Sequence, residues 1–254
     1  MADTVVLDHV TKNFALREAL TLKRRMVSVA RRKPMTRKFT AIDDVSFAIQ
    51  EGEAIGLMGL NGSGKSTLLK MISGVLRPDG GTVRTRGHVA GLIEVTAGFH
   101  LQLTGRENIY LNAAIMGMSE REIERRFDGI VDFAGIEEFL DQPVSRYSSG
   151  MFARLGFSIA VAADSDVFII DEVLAVGDPP FKKKCLARIR EIRDEGRTIV
   201  FVSHNTTQVK RICTKAVVLE KGRMTYYGDV PGAISQLHYD QDGDDDTDAE
   251  GGEI

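Results

Sequence analysis

Apolar and polar residues alternate along Thr4–Phe14, "TVVLDHVTKNF", the two-residue period of a strand with one face buried. The run "VSFAIQEGEAIGLMG", Val45–Gly59, alternates and then turns apolar, which predicts a strand leading into a glycine-rich loop. "KSTLLKMISG" after it has helical spacing, and "GTVRTRG" and "HVAGLIEV" read as short strands. From Thr104 to Ala163 the pattern predicts three helices: "TGRENIYLNAAIMGM", "SEREIERRFDGIVDFAG" and "SSGMFARLGFSIAVAA". Ser119 followed by Glu122 is a capping box at the start of the second. "DVFIID" and "TIVFVSH" are continuous apolar runs, the mark of parallel strands covered on both faces. Between them "CLARIREIRDEG" predicts a helix stopped at Gly196. "AVVLEKGRMTYYGD" predicts a hairpin turning at Lys221-Gly222. Strands alternating with helices, interrupted by a helical block, predict an α/β core with an inserted helical subdomain.

Composition adds little to this and excludes some classes. The 254 residues are 43% hydrophobic and 27% charged, ordinary for a globular chain. No apolar run approaches the roughly 18 residues of a membrane span. "MADTVVLDHV" has neither the basic start nor the apolar stretch of a secretory signal. Two cysteines, Cys185 and Cys213, are too few for a disulfide framework or a metal site and are expected to be reduced thiols.

Charge is more informative, because the net of −3 hides two opposite segments. Residues 240–254 carry eight acids and no base, and the remainder holds 33 basic against 28 acidic residues. That acidic tail has too little apolar surface to fold and is expected to be disordered. "LTLKRRMVSVARRKPMTRKF", Leu20–Phe39, has eight Lys/Arg and no acid. Ala19, Leu22, Met26 and Val29 share one helical face, and Pro34 should end that helix. A basic amphipathic helix suits a membrane surface, an anionic headgroup or nucleic acid, and equally a solvated helix lying on its own core.

The chemistry begins with Gly59-Leu-Asn-Gly-Ser-Gly-Lys-Ser66, a full G-x-x-x-x-G-K-[ST] motif between a predicted strand and a predicted helix. Backbone amides of Asn61, Gly62, Ser63 and Gly64 would wrap a nucleotide's phosphates. The helix that follows turns its positive end to the anion. Lys65 would reach the β- and γ-phosphates, Ser66 would hold Mg²⁺, and Thr67 adds a phosphate contact. Asp171 and Glu172 end the apolar run "VFII" at the edge where α/β sheets place ligands. Asp171 suits the Mg²⁺ shell and Glu172 the polarising of a water.

"YSSGMFARLGFSIA", Tyr147–Ala160, resembles the signature segment of ABC ATPases, with Ser148, Ser149, Gly150 and Met151 in the S-G-G-Q places. It precedes Asp171 by about twenty residues, as in that family. His204 at the end of "IVFVSH" resembles the switch histidine, and Asp178 in "AVGD" the D-loop aspartate. Phe14 stands where the family stacks an aromatic on adenine, and the likeness runs from about Val5 to Tyr227. It implies a P-loop NTPase fold of the ABC type: a RecA-like core with an antiparallel β subdomain, residues 1–92 and 164–239, carrying the basic insertion at about 15–39. Residues 93–163 would form the helical, signature-bearing subdomain, with the tail from 240. It also implies ATP and Mg²⁺ as ligands and a head-to-tail homodimer, in which Ser148 and amides near Gly150 of one copy cap the γ-phosphate on Lys65 of the other.

The chain departs from the family pattern twice. Ser149 replaces the second signature glycine, and Glu94 occupies the Q-loop place, counted back from Asn108 in "LTGREN". A carboxylate at Glu94 could orient Mg²⁺ or water while adding negative charge near the γ-phosphate, and Glu94→Gln is expected to keep activity. With "LIEVTAGFHLQLTGRENIYLNAAIMGM" and "DEVLAVGDPPFKKKC", these features look like the ATPase subunits of exporters for lipid-linked polysaccharide, of the O-antigen, teichoic acid, capsule or galactan kind. That resemblance implies two copies of a separate polytopic membrane subunit, a place at the cytoplasmic face of the membrane, and no nucleic-acid partner. The segment Lys23–Lys38 would face the membrane. The lack of room for a carbohydrate-binding domain after Tyr227 leads to the expectation of export coupled to synthesis. The rival readings are a soluble ABC ATPase acting on nucleic acid or ribosomes, and an importer ATPase.

Overall fold

The computed structural model describes residues 2–17, 36–91, 98–171 and 178–237. Three strands form an antiparallel sheet: β1 (Asp3–Arg17), β2 (Thr36–Gln50) and, after β3 (Ala54–Met58) and α1 (Lys65–Ile72), β4 (Gly80–Thr85), in the order β2-β1-β4. The run Val45–Gly59, read as one stretch, is two strands, because Gly52 at φ 76 turns the chain between β2 and β3. The insertion expected at about 15–39 starts as a continuation of β1 and returns as the beginning of β2. Its ends belong to the sheet, with Ala15 opposite Lys38 and Arg17 opposite Thr36. The helix expected around Leu22 and Met26 lies outside the described residues, as does the tail from 240.

The second sheet is built from β5 (Val89–Gly91), β6 (Val167–Ile170), β7 (Thr198–Val202), β3, β8 (Lys215–Glu220) and β9 (Arg223–Asp229), in the order β5-β6-β7-β3-β8-β9. All its pairings are parallel except β8–β9, which forms the predicted hairpin. Both faces are covered, which explains the continuous apolar runs. Phe168, Ile170, Ile199 and Phe201 face a core shared with the helices. Val167, Ile169, Val200 and Val202 point the opposite way, into a core shared with β1, β2 and α1.

The helical block holds α2 (Gly105–Ile115), α3 (Glu120–Ala134) and α4 (Ser149–Ala162). The Ser119–Glu122 capping box is formed. A second box, Thr104 with Glu107, starts α2, and its T-x-x-E signal stands in the sequence. Arg126 ties α3 to the core, donating to the carbonyl of Ala162 and pairing with Asp164, which Arg197 also reaches. After β6 come α5 (Pro179–Asp194), α6 (Thr206–Ile212) and α7 (Val230–Gln236). α5 begins six residues before the "CLARI" run, since Pro179 is accepted in a helix's first turn. Among the described residues no helix is long and apolar enough to cross a membrane.

Candidate nucleotide site

Three adjacent parallel strands deliver the predicted residues to one edge. In the ladder Leu57 lies opposite Val202 and Ile170 opposite Phe201. The phosphate-type loop after β3, Asp171 after β6 and His204 after β7 therefore leave the sheet at nearly one level. Carboxyl ends of parallel strands are where such sheets bind ligands.

A cleft of about 250 Å³ opens there, lined by Asn61, Gly62, Gly64, Lys65, Ser66, Thr67 and Asp171, with Phe39, Ala41 and Val202. Lys65 Nζ folds back on its own loop and donates to the carbonyls of Gly59 at 2.6 Å and Leu60 at 3.0 Å. Burial lowers the Lys65 ammonium's pKa, which nearby Asp171 partly offsets. Burial likewise raises the Asp171 carboxyl, against the pull of Lys65. Both charges are thus held at a desolvation cost with incomplete compensation, the condition of groups set to meet a ligand's charge. Gly64 lies at φ 109 and a Cβ on it would stand 2.7 Å from the Ala41 carbonyl oxygen, so the loop closes only with glycine there.

Not every predicted residue enters this cleft. The Ser63 side chain lines a separate hollow of about 200 Å³ between the loop and β8, where its Oγ is buried without a protein hydrogen-bond partner. The Ser63 amide donates to the Leu60 carbonyl at 3.1 Å within the loop. Phe14 stands directly across the β1–β2 ladder from Phe39, which places both rings on one face. Both are exposed, and Phe39 is the one that lines the cleft. The sequence reading missed Phe39; its signal was an aromatic two residues ahead of "AIDDVSF". Glu94 and Glu172 lie outside the described residues. His204 is exposed in the connection from β7 to α6.

The signature residues sit apart, at the start of α4. Ser148 is its N-cap and accepts from the Met151 amide at 3.2 Å. Ser148 and Ser149 are exposed, so the positive end of the helix lies at the surface, with the Met151 amide capped by Ser148. Arg154, one turn further on, pairs with Asp178, the N-cap of α5, and its guanidinium lies 5.2 Å from the centre of the Phe181 ring. This pairing holds the Asp178 carboxyl below the usual carboxylate range. The loop ahead of α2 is clasped by buried Asn108. Its Oδ1 accepts from the His100 amide at 2.8 Å, and its Nδ2 donates to the carbonyls of His100, Leu103 and Thr104. Phe99 of that loop packs 4.5 Å from Phe152 of α4, which joins the loop to the signature helix.

A family model described as ABC transporter matches residues 42–175. An O-antigen export system ATP-binding protein of Klebsiella pneumoniae is 50% identical over 192 residues, 76% of this chain and 78% of its own length. A teichoic acids export ATP-binding protein of Staphylococcus haemolyticus is 42% identical over 230 residues, 91% of this chain and 86% of its own. Among solved structures, an ATP-binding subunit of an ABC transporter superposes with a TM-score of 0.73 at 25% identity, covering 92% of each chain. A dimeric ATP-binding cassette in a post-hydrolysis state with ADP and phosphate matches in fold, at a TM-score of 0.72 and 21% identity over 89% of this chain and 98% of that one. A phosphate loop, a strand-end carboxylate and a capped signature helix on this fold, with relatives of such identity, place the chain in the ABC transporter family as an ATP-binding cassette.

Proposed function

We propose that this chain is the ATP-hydrolysing subunit of an exporter that moves lipid-linked polysaccharide across the cytoplasmic membrane. The observation that carries the ATPase reading is the cleft in which Lys65, Ser66 and Asp171 converge. The export reading rests on the O-antigen and teichoic acid export proteins that the chain resembles. Residues 1–92 and 164–239 are taken as the ATP-binding core and 93–163 as the helical part.

In this reading the loop amides of residues 61–64 and Lys65 hold the ATP phosphates, and Phe14 with Phe39 offers a surface for the base. Ser66 and Asp171 supply one hydroxyl and one carboxylate, a donor set that suits Mg²⁺ arriving with its nucleotide, since Mg²⁺ keeps phosphate oxygens and waters in its shell. Bound there, Mg²⁺ would neutralise phosphate charge. Glu172 orients the attacking water and His204 contacts the γ-phosphate. Ser148, Ser149 and Gly150 of a second, head-to-tail copy close the site, with Asp178 at the same junction. Each copy serves one of two membrane subunits at the cytoplasmic face. The exposed apolar residues Leu111 and Ile115, one turn apart on α2, offer that subunit a docking surface.

The test is isolation of the chain with its membrane subunit. Recovery of a polytopic partner, and ATPase activity strongly lowered by Lys65→Ala, are the expected results. Recovery with nucleic acid, in a form released by nuclease, would overturn the export reading.

A further inference from the structure

The β8–β9 turn lies outside the span 42–175 matched by the family model, yet it is bonded directly to the phosphate loop. The Gly222 amide donates to the Ser63 carbonyl at 2.9 Å, and the Gly222 carbonyl accepts from the Asp43 amide at 2.8 Å. Arg223 Nη2 pairs with Asp43 Oδ2 at 2.7 Å, fixing the turn to β2 from the side. Lys221 at φ 48 and Gly222 at φ 84 make the doubly left-handed turn that a two-residue hairpin needs. A Cβ on Gly222 would stand 2.7 Å from the Ala41 carbonyl oxygen, the same atom that confines Gly64. Ala41 is thus wedged between two glycines, one in the hairpin and one in the phosphate loop.

A trans peptide is planar and points its C=O and N–H to opposite sides. When Gly222 holds the Ser63 carbonyl, the N–H of the next residue, Gly64, is turned away from the hairpin. Gly64 lines the cleft with Lys65 and Ser66. We propose that the β8–β9 turn is a positioning element of the phosphate site: Gly222 sets the Ser63–Gly64 peptide so that the Gly64 N–H is presented to a bound phosphate. The inference rests on the reading of residues 59–66 as a phosphate loop. It makes Gly222 a positioning residue for a site to which it contributes no atom.

The test uses the full chain, with binding of a ribose-labelled fluorescent ATP and steady-state hydrolysis as readouts. Gly222→Ala is expected to raise Kd and KM for ATP about tenfold, the effect of one hydrogen bond to a charged group, with kcat within about twofold. Gly222→Asn should raise Kd as much with a smaller loss in Tm, because Asn tolerates positive φ while its Cβ still meets Ala41. Arg223→Ala, an exposed change that leaves the fold intact, should raise Kd about threefold by loosening the turn. Lys221→Asn, in the same turn with its side chain 91% exposed, should leave Kd unchanged. Wild-type ATP affinity in the Gly222 variants that fold and in Arg223→Ala would overturn the proposal. So would an equal rise in Lys221→Asn, or a fall of kcat with Tm at constant KM. Lys65→Ala separates the two readings: if it keeps ATP affinity, the phosphate-loop assignment fails; if it loses affinity while Gly222 and Arg223 variants do not, only the positioning role fails.

Discussion

The phosphate cleft and the signature surface carry the same anion-attracting chemistry in opposite kinds of place. The cleft is concave and half-buried, with Lys65 and Asp171 both shifted by burial. The signature surface is an exposed helix start, whose capping hydroxyl, Ser148, accepts from Met151 and keeps its own proton to donate. One region provides a cradle and a cation; the other provides a positive helix end at the surface. In the proposed reading neither surrounds a triphosphate alone. On that reading, a chain with a well-formed loop is expected to hydrolyse ATP only as a pair.

The sharpest way to break this comparison is to disable one region per copy. Lys65→Ala should lower ATPase activity on the order of 10²–10³-fold, as removal of a charged transition-state contact does. Ser148→Ala should lower it by a similar factor while the isolated chain still binds ATP. Mixing the two inactive proteins should restore about a quarter of wild-type activity, since half of the randomly formed pairs carry one intact composite site. No recovery on mixing, with dimers formed, would show that the two regions act within one copy.

A smaller effect tests what supports the signature surface. Arg154→Ala removes the partner of Asp178 and the cation over Phe181. ATPase activity should fall about tenfold, with ATP affinity of the single chain unchanged. Arg154→Lys should recover part of it, keeping the charge but not the planar fork. An equal loss of ATP affinity would place Arg154 with the cleft instead.

The smallest effect concerns the cleft's own cost. The Asp171 carboxyl titrates above its ordinary value because burial disfavours its charge. Stability from such a group is full below the unfolded pKa and is lost as pH rises through the folded one. At pH 7 nucleotide-free Asp171→Asn should therefore melt about 2 °C above wild type, and the gap should shrink as the pH is lowered toward 4. The same variant should lose Mg²⁺-dependent hydrolysis. A lower Tm at pH 7 would mean that attraction to Lys65 outweighs the burial.

Much of this molecule could be read along the chain. Continuous apolar runs marked β6 and β7 because strands covered on both faces need no polar side. The capping boxes and the Lys221-Gly222 turn are local chemistry, decided by residues within a few positions of each other. Where the reading missed, the deciding contact was distant. That the ends of the insertion prolong the β1–β2 ladder depends on Ala15 finding its partner at Lys38. The direction of the Ser63 side chain, into the hollow beside β8, had no local signal either. Phe39 went unread because only strand pairing brings it beside Phe14 and over the cleft.

The sequence by itself determined which residues could grip a phosphate, which strands are buried, and the family whose spacing they follow, since all three depend on near neighbours or on periodicity. Tertiary structure alone decided which of those side chains share a cleft, that the signature residues are not among its lining, and that Gly222, over 150 residues from the loop, holds the Ser63 carbonyl. Peptide orientation and side-chain direction are set by contacts between segments far apart in the chain, and no local pattern encodes them.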